Sequence, residues 1–224
     1  MNEREPQDPA PFGEVGLGEF TQALAARTPV PGGGAAAGSA LAHGAALGSM
    51  VVAFSIDKRK FEAHREILES RTKRLDIARS SALELADRDA RGFERLAALW
   101  SKPEDDPQRL RAWEPAVIGA IDPPASLVRL AVATTSCLAR LVGRTSRLLR
   151  SDLSIAAGFC SLAADAAAWN VRVNLDSLRR LEGRAGEADE LEQDIADAVA
   201  ECRALSGRIE TACLENAELP IVDP

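Results

Sequence analysis

Stepping by seven from Phe61 gives Leu68, Leu75, Ala82, Asp89 and Leu96, so one carboxylate falls in an otherwise apolar helical seam. Its neighbours four and seven positions away, Ala82, Leu85, Phe93 and Leu96, share its helical face and carry no polar group. An acid facing a core costs several kcal/mol unless it is paired or used. Pairing with an arginine of another helix, capping of a backbone group and contact with a ligand all remain open for Asp89. Asp87, between Glu84 and Arg91, reads as solvated.

Two amides form the second group. Asn170 and Asn174 are four apart, on one face of a stretch rich in Ala, Val and Trp. Amides on an apolar surface need partners, across a helix interface or on a ligand with several donors and acceptors. Arg172, on another face, can pair with Asp176. The third group is the loop Pro29-Val30-Pro31-Gly32-Gly33-Gly34, which cannot be helical and runs into an uncharged stretch from Ala35 to Ile56. A glycine loop feeding a helix N-terminus presents N–H groups and a positive dipole end, suited to an anion or a polar heterocycle. Lys58-Arg59-Lys60, just past that stretch, is either a solvated helix end or a receiver for a polyanionic tail. Ser151-Asp152 reads first as an N-cap with an acid in the first turn.

The elements that would position these groups are all helices, since no alternating strand pattern of useful length occurs. The expected order is a flexible tail over residues 1–14, a short amphipathic helix from Val15 to Arg27, and the glycine loop. A buried Gly/Ala-rich helix to about Ile56 and a long central helix from Lys58 to Trp100 follow. Pro115 and Pro123-Pro124 punctuate the next stretch. Helices from Leu127 to Leu149, Leu153 to Leu181 and Glu187 to Glu215 complete one domain over residues 15–224, with Gly183 and Gly186 at a turn. The uncharged stretch is long enough to cross a bilayer, but its Ala, Gly and Ser gain little from hydrocarbon, so a helix buried on all sides is expected. Gly34 with Gly38, and Gly44 with Gly48, let another helix approach closely, with a second subunit as one possible source.

Composition narrows the function classes. The chain has 224 residues, 46% of them hydrophobic but only 4% aromatic, and its net charge of −7 argues against a nucleic-acid surface. Cys137, Cys160, Cys202 and Cys213 are scattered without a CxxC pair or nearby histidines. Neither a metal site nor a disulfide framework is indicated, and buried reduced thiols in a cytoplasmic protein are expected. The N-terminus, Asn2 to Pro9, is polar and acidic, unlike a signal peptide.

Four blocks in order carry a resemblance over roughly Phe20 to Leu181: Pro29 to Gly34 before the Ala/Gly helix, Leu85 to Phe93, Ser151-Asp152 with Ala156-Ala157, and Asn170 to Leu175. Together they resemble the cyclodeaminase/cyclohydrolase family of tetrahydrofolate one-carbon enzymes. The resemblance implies an all-α multihelical homodimer whose ligand is a folate derivative, with no cofactor beyond tetrahydrofolate. It implies hydrolysis of 5,10-methenyltetrahydrofolate to 10-formyltetrahydrofolate, with formiminotetrahydrofolate cyclodeaminase or a diverged folate-binding dimer without turnover as alternatives. Asp89 would stabilise the amidinium cation and act as general base. Pro31, Gly32, Gly33, Gly34, Asp152, Asn170 and Asn174 would line the pterin site, and Lys58 with Lys60 would meet the glutamate tail. Three polar stretches depart from the family pattern. Ser55-Ile56-Asp57-Lys58-Arg59-Lys60 replaces Thr-x-Gly-Lys-Lys, Leu99-Trp100-Ser101 replaces Leu-Pro-Lys, and Thr145 to Arg150 replaces an asparagine-containing turn.

Overall fold

Among the described residues of the computed structural model, 10–217 and 219, the chain forms six α-helices, three short 3₁₀ turns and no strand. The helices are α1 (Leu17–Leu24), α2 (Gly33–Ile56), α3 (Arg65–Trp100), α4 (Pro107–Ala139), α5 (Arg150–Arg179) and α6 (Ala185–Glu215). They stack as an all-α bundle in which α2 lies between α3 and α5, and α4 packs on α3, α5 and α6.

The heptad line sets the long helix. Leu68, Leu75, Ala82 and Leu96 are completely buried on the face α3 turns to its neighbours. That helix begins later than Lys58, because Arg59–His64 winds as a 3₁₀ turn that lays Phe61 into the core first. Two chemical signals bound other helices, of which the Gly183 turn is as expected. The Asp106 carboxylate accepts from the backbone N–H of Gln108 (2.8 Å) and Arg109 (3.0 Å) ahead of Pro107, and Gly183 takes φ +75° between α5 and α6.

The prolines do not break α4, which runs through Pro115, Pro123 and Pro124. Pro123 has no N–H to give the Gly119 carbonyl. That carbonyl instead faces Gly92 of α3, where any Cβ would overlap it. Pro123 and Pro124 are themselves buried, and tertiary packing outweighs the local cost.

The small-residue faces of α2 find their partners within the chain. A Cβ on Gly38 would lie 2.7 Å from both the Ala82 carbonyl oxygen and the Ala86 Cβ of α3. One on Gly44 would lie 2.8 Å from the Ala156 carbonyl oxygen of α5. The expectation that these faces serve a second subunit is therefore corrected: they seat α2 between α3 and α5. Nor is α2 buried on all sides. Ala36, His43, Ala46, Ala53 and Phe54 remain exposed, so among the described residues one uncharged face of α2 is left open. By length and composition α2 and α4 could each cross a membrane, yet 44% and 56% of their apolar windows are already buried against the bundle.

The N-terminal expectation changes in part. Residues 1–9 lie outside the described residues, but Phe12–Glu14 forms a 3₁₀ turn docked on α3. The Phe12 N–H donates to the Asp87 carboxylate at 3.0 Å, and its ring meets Phe20 edge-on. Asp87 is thus an anchor rather than a solvated acid.

Candidate functional site

The first turn of α2 is where the glycine loop acquires its role. Gly34 is buried, and a Cβ on it would overlap the carboxylate of Asp89, which reaches across from α3. The positive helix end thus faces the protein's own acid, so of the two ligands expected there, an anion or a polar heterocycle, the anion is corrected. Beside it, a Cβ on Gly33 would lie 3.5 Å from Asn170 Oδ1, an ordinary contact. Asn170 projects from α5, and the Asn174 amide donates back to the Asn170 carbonyl at 2.9 Å. The Asn170 Nδ2 is buried with no hydrogen-bond partner among the described residues.

These groups border one cleft of about 210 Å³, into which Gly32, Gly33, Gly34, Asp89, Asn170 and Asn174 all face. Phe93 and Trp100 of α3 form a second wall, while Val30, Ala120 and Val173 supply apolar surface. Asp89 is the only charged residue of the lining among the described residues. Among the described residues no cation pairs with it, and burial alone pushes its carboxyl up to about 6 from an ordinary 3.8. The arrangement is a desolvated carboxylate, an unused amide donor and aromatic faces. It suits a planar, hydrogen-bonding ligand that is cationic, not anionic.

The other expected site residues lie elsewhere in the chain. Pro31 precedes the helix, joined to Val30 by a cis peptide, and is not part of the lining. Lys58 and Lys60 are exposed beyond the far end of α2, roughly 35 Å along the helix from Gly33, and Lys60 sits 4.6 Å over the Phe61 ring. Asp152 lies in the first turn of α5, roughly 27 Å along it from Asn170. It does not extend a Ser151 cap, since α5 starts at Arg150 and Leu149 precedes it. Arg172 rests over the Trp169 ring (5.6 Å), and Asp176 pairs with Arg179 at 3.2 Å instead. Ser55 Oγ accepts from the Ser146 N–H at 2.9 Å, tying the Lys58–Lys60 end of α2 to the loop that carries Arg144 and Arg147. One end of the bundle is thus basic, and the other holds the cleft.

Sequence reasoning passed over Trp100 and Val173 as site residues. Trp100 is eleven positions, three helical turns, beyond Asp89, so the periodicity that singled out Asp89 also contained it. All four cysteines are free and buried, and no three His, Cys, Asp or Glu side chains converge among the described residues.

Comparison with known proteins adds to this geometry. The family model described as Formiminotransferase-cyclodeaminase matches residues 16–212. The chain belongs to this family. A formimidoyltransferase-cyclodeaminase of Gallus gallus is 31% identical over 166 residues, covering 72% of this chain and 31% of that protein. The chain thus spans about a third of the length of that relative. A methenyltetrahydrofolate cyclohydrolase of Methylorubrum extorquens is 30% identical over 196 residues, 80% of this chain and 93% of its own. The crystal structure of a formiminotetrahydrofolate cyclodeaminase from Thermotoga maritima superposes with a TM-score of 0.78 at 24% identity. It covers 90% of this chain and 98% of that one, a likeness of fold. The resemblance read from four sequence blocks and the family match coincide over most of the chain.

Proposed function

We propose that the chain is a tetrahydrofolate one-carbon enzyme that hydrolyses 5,10-methenyltetrahydrofolate to 10-formyltetrahydrofolate. The observation that carries this reading is Asp89, an unpaired carboxylate in a cleft without other charge. The substrate is an amidinium cation, and an ionised Asp89 attracts it. Asp89 then takes a proton from water as the water oxygen bonds to the bridging carbon. The carbinolamine hydroxyl gives up its proton as its N5–carbon bond breaks and the C=O forms, N5 accepts a proton, and the formyl group stays on N10. The net change is one water consumed and one proton released. Asn170 Nδ2, without a partner among the described residues, supplies a hydrogen bond to the heterocycle. The Methylorubrum extorquens relative, a methenyltetrahydrofolate cyclohydrolase matched over 93% of its length, supports this reading. The four buried thiols fit action in the cytoplasm.

The test is decay of the methenyl chromophore on adding the purified chain. Acceleration over the uncatalysed decay is expected. No acceleration, or ammonia release from 5-formiminotetrahydrofolate in its place, would move the protein to one of the other two readings.

The enzyme works as a homodimer in this proposal. Ile155, Leu162, Trp169 and Val173 are exposed at steps of seven and four along α5, and Leu148 extends the line. Antiparallel beside it runs the uncharged exposed face of α2 ending at Phe54, with His43 stacked on Phe159 at 5.9 Å. Such a continuous apolar face marks an interface. A two-fold pairing that lays it antiparallel on its copy carries the basic end of one chain, with Lys58 and Lys60, toward the cleft of the other. Leu162→Arg is expected to sediment as a monomer and to lose turnover; a variant that remains dimeric contradicts this interface.

A further inference from the structure

The aromatic wall of the cleft has no task in the proton chemistry. The chain holds only nine aromatic residues, three Trp and six Phe with no Tyr. Two of them, Phe93 and Trp100, face this opening, with centroids 6.1 Å apart and planes at 75°. Trp100 leaves 47% of its surface uncovered and Phe93 leaves 36%. Asp89, Phe93 and Trp100 share one face of α3 at steps of four and seven, so the wall begins one turn, about 6 Å along the helix axis, beyond Asp89. Asp89 and Asn170 meet at the glycine turn of α2, and the rings follow along α3 from there with Trp100 farthest out, while Asn174 stands one turn on from Asn170 along α5.

On the folate reading above, we propose that Phe93 and Trp100 are specificity-determining residues that hold the p-aminobenzoyl ring of the ligand. This polarity fixes the ligand's direction. The pterin carries donors and acceptors along its edge, and it goes to Asn170 and the Asp89 carboxylate. The benzoyl ring has apolar faces, and it goes against Trp100, packed there by the offset or edge-on contacts aromatic rings prefer. The bridging carbon lies between the two rings of the ligand, next to Asp89. The glutamate tail then leaves the cleft past Trp100.

The test compares two probes that differ in that ring, tetrahydrofolate and tetrahydropterin. Calorimetric binding is measured to the wild type, Trp100→Ala and Trp100→Phe, each first checked by its melting temperature. Trp100→Ala is expected to bind tetrahydrofolate about five- to tenfold more weakly with tetrahydropterin affinity unchanged, and Trp100→Phe to recover most of the loss. Tetrahydrofolate should also quench tryptophan fluorescence in the wild type but not in Trp100→Ala. An equal loss for both probes, or none for either, overturns the assignment of Trp100 while wild-type turnover leaves the folate reading standing. A wild type that neither binds tetrahydrofolate nor turns over the methenyl compound overturns both.

Discussion

Asp89→Asn is expected to lower cyclohydrolase turnover by about 10²- to 10⁴-fold, the usual contribution of a well-placed general base. The amide keeps the shape of the side chain and its place over the first turn of α2, but it can neither take a proton nor attract the amidinium. A folded variant with full turnover would remove Asp89 from the chemistry. The pH dependence follows from the same burial. In the free protein the carboxyl ionises near 6, so kcat/KM should fall as pH drops through about 6. The cation in the complex offsets the desolvation and favours the ionised form, so the corresponding limb of kcat should lie at lower pH.

Stability should respond in the opposite sense. An acid whose folded-state pKa is raised from 3.8 to about 6 favours the native state most below pH 4, where it is protonated in both states. That advantage is lost as pH rises through 6. At about 1.4 kcal/mol per pKa unit, the ionised carboxylate costs the fold up to about 3 kcal/mol at pH 8. Denaturant unfolding of Asp89→Asn should therefore show gained stability at pH 8 and little change at pH 4. A residue that weakens the fold in its working form is what a functional acid looks like, whereas a structural ion pair would give the reverse sign.

The legible part of this molecule was its periodicity. The step of seven through Phe61, Leu68 and Leu75 laid out the buried face of α3 and put Asp89 on it. The same reading put Asn170 and Asn174 on one face of α5. What escaped was three-dimensional in origin. Helical continuity through Pro123 depends on a Gly119 carbonyl meeting Gly92 of another helix, a contact some thirty residues away that no local rule contains. Similarly, the small residues of α2 announce close approach but not whose backbone approaches. The grouping of Lys58, Lys60 and Asp152 with the glycine loop failed within one chain for a plain reason of length. They sit at opposite ends of α2 and α5, and only a second copy could reunite them.

Gly34→Ala tests the central contact without touching a polar group. In the native arrangement the added methyl overlaps the Asp89 carboxylate, so either the acid or the first turn of α2 must shift. Misplacing a catalytic group by about 1 Å costs on the order of 10²-fold in rate, and overpacking costs about 1–3 kcal/mol of stability. Both losses are expected in the wild-type background. In an Asp89→Ala background the space is vacant, and the same substitution should turn neutral or stabilising by up to about 1 kcal/mol, as alanine favours helix over glycine. The sign of the stability change thus depends on whether the carboxylate is present, a coupling that a double-mutant cycle of unfolding midpoints measures directly. Gly33→Ala is the control, because its methyl would meet Asn170 at an ordinary 3.5 Å and leave Asp89 in place. Equal costs for Gly34→Ala in the two backgrounds would mean that the glycine serves only its own helix. Opposite signs would tie the Gly-Gly-Gly loop to the placement of a single acid, the reason a glycine and not an alanine stands where α2 meets α3.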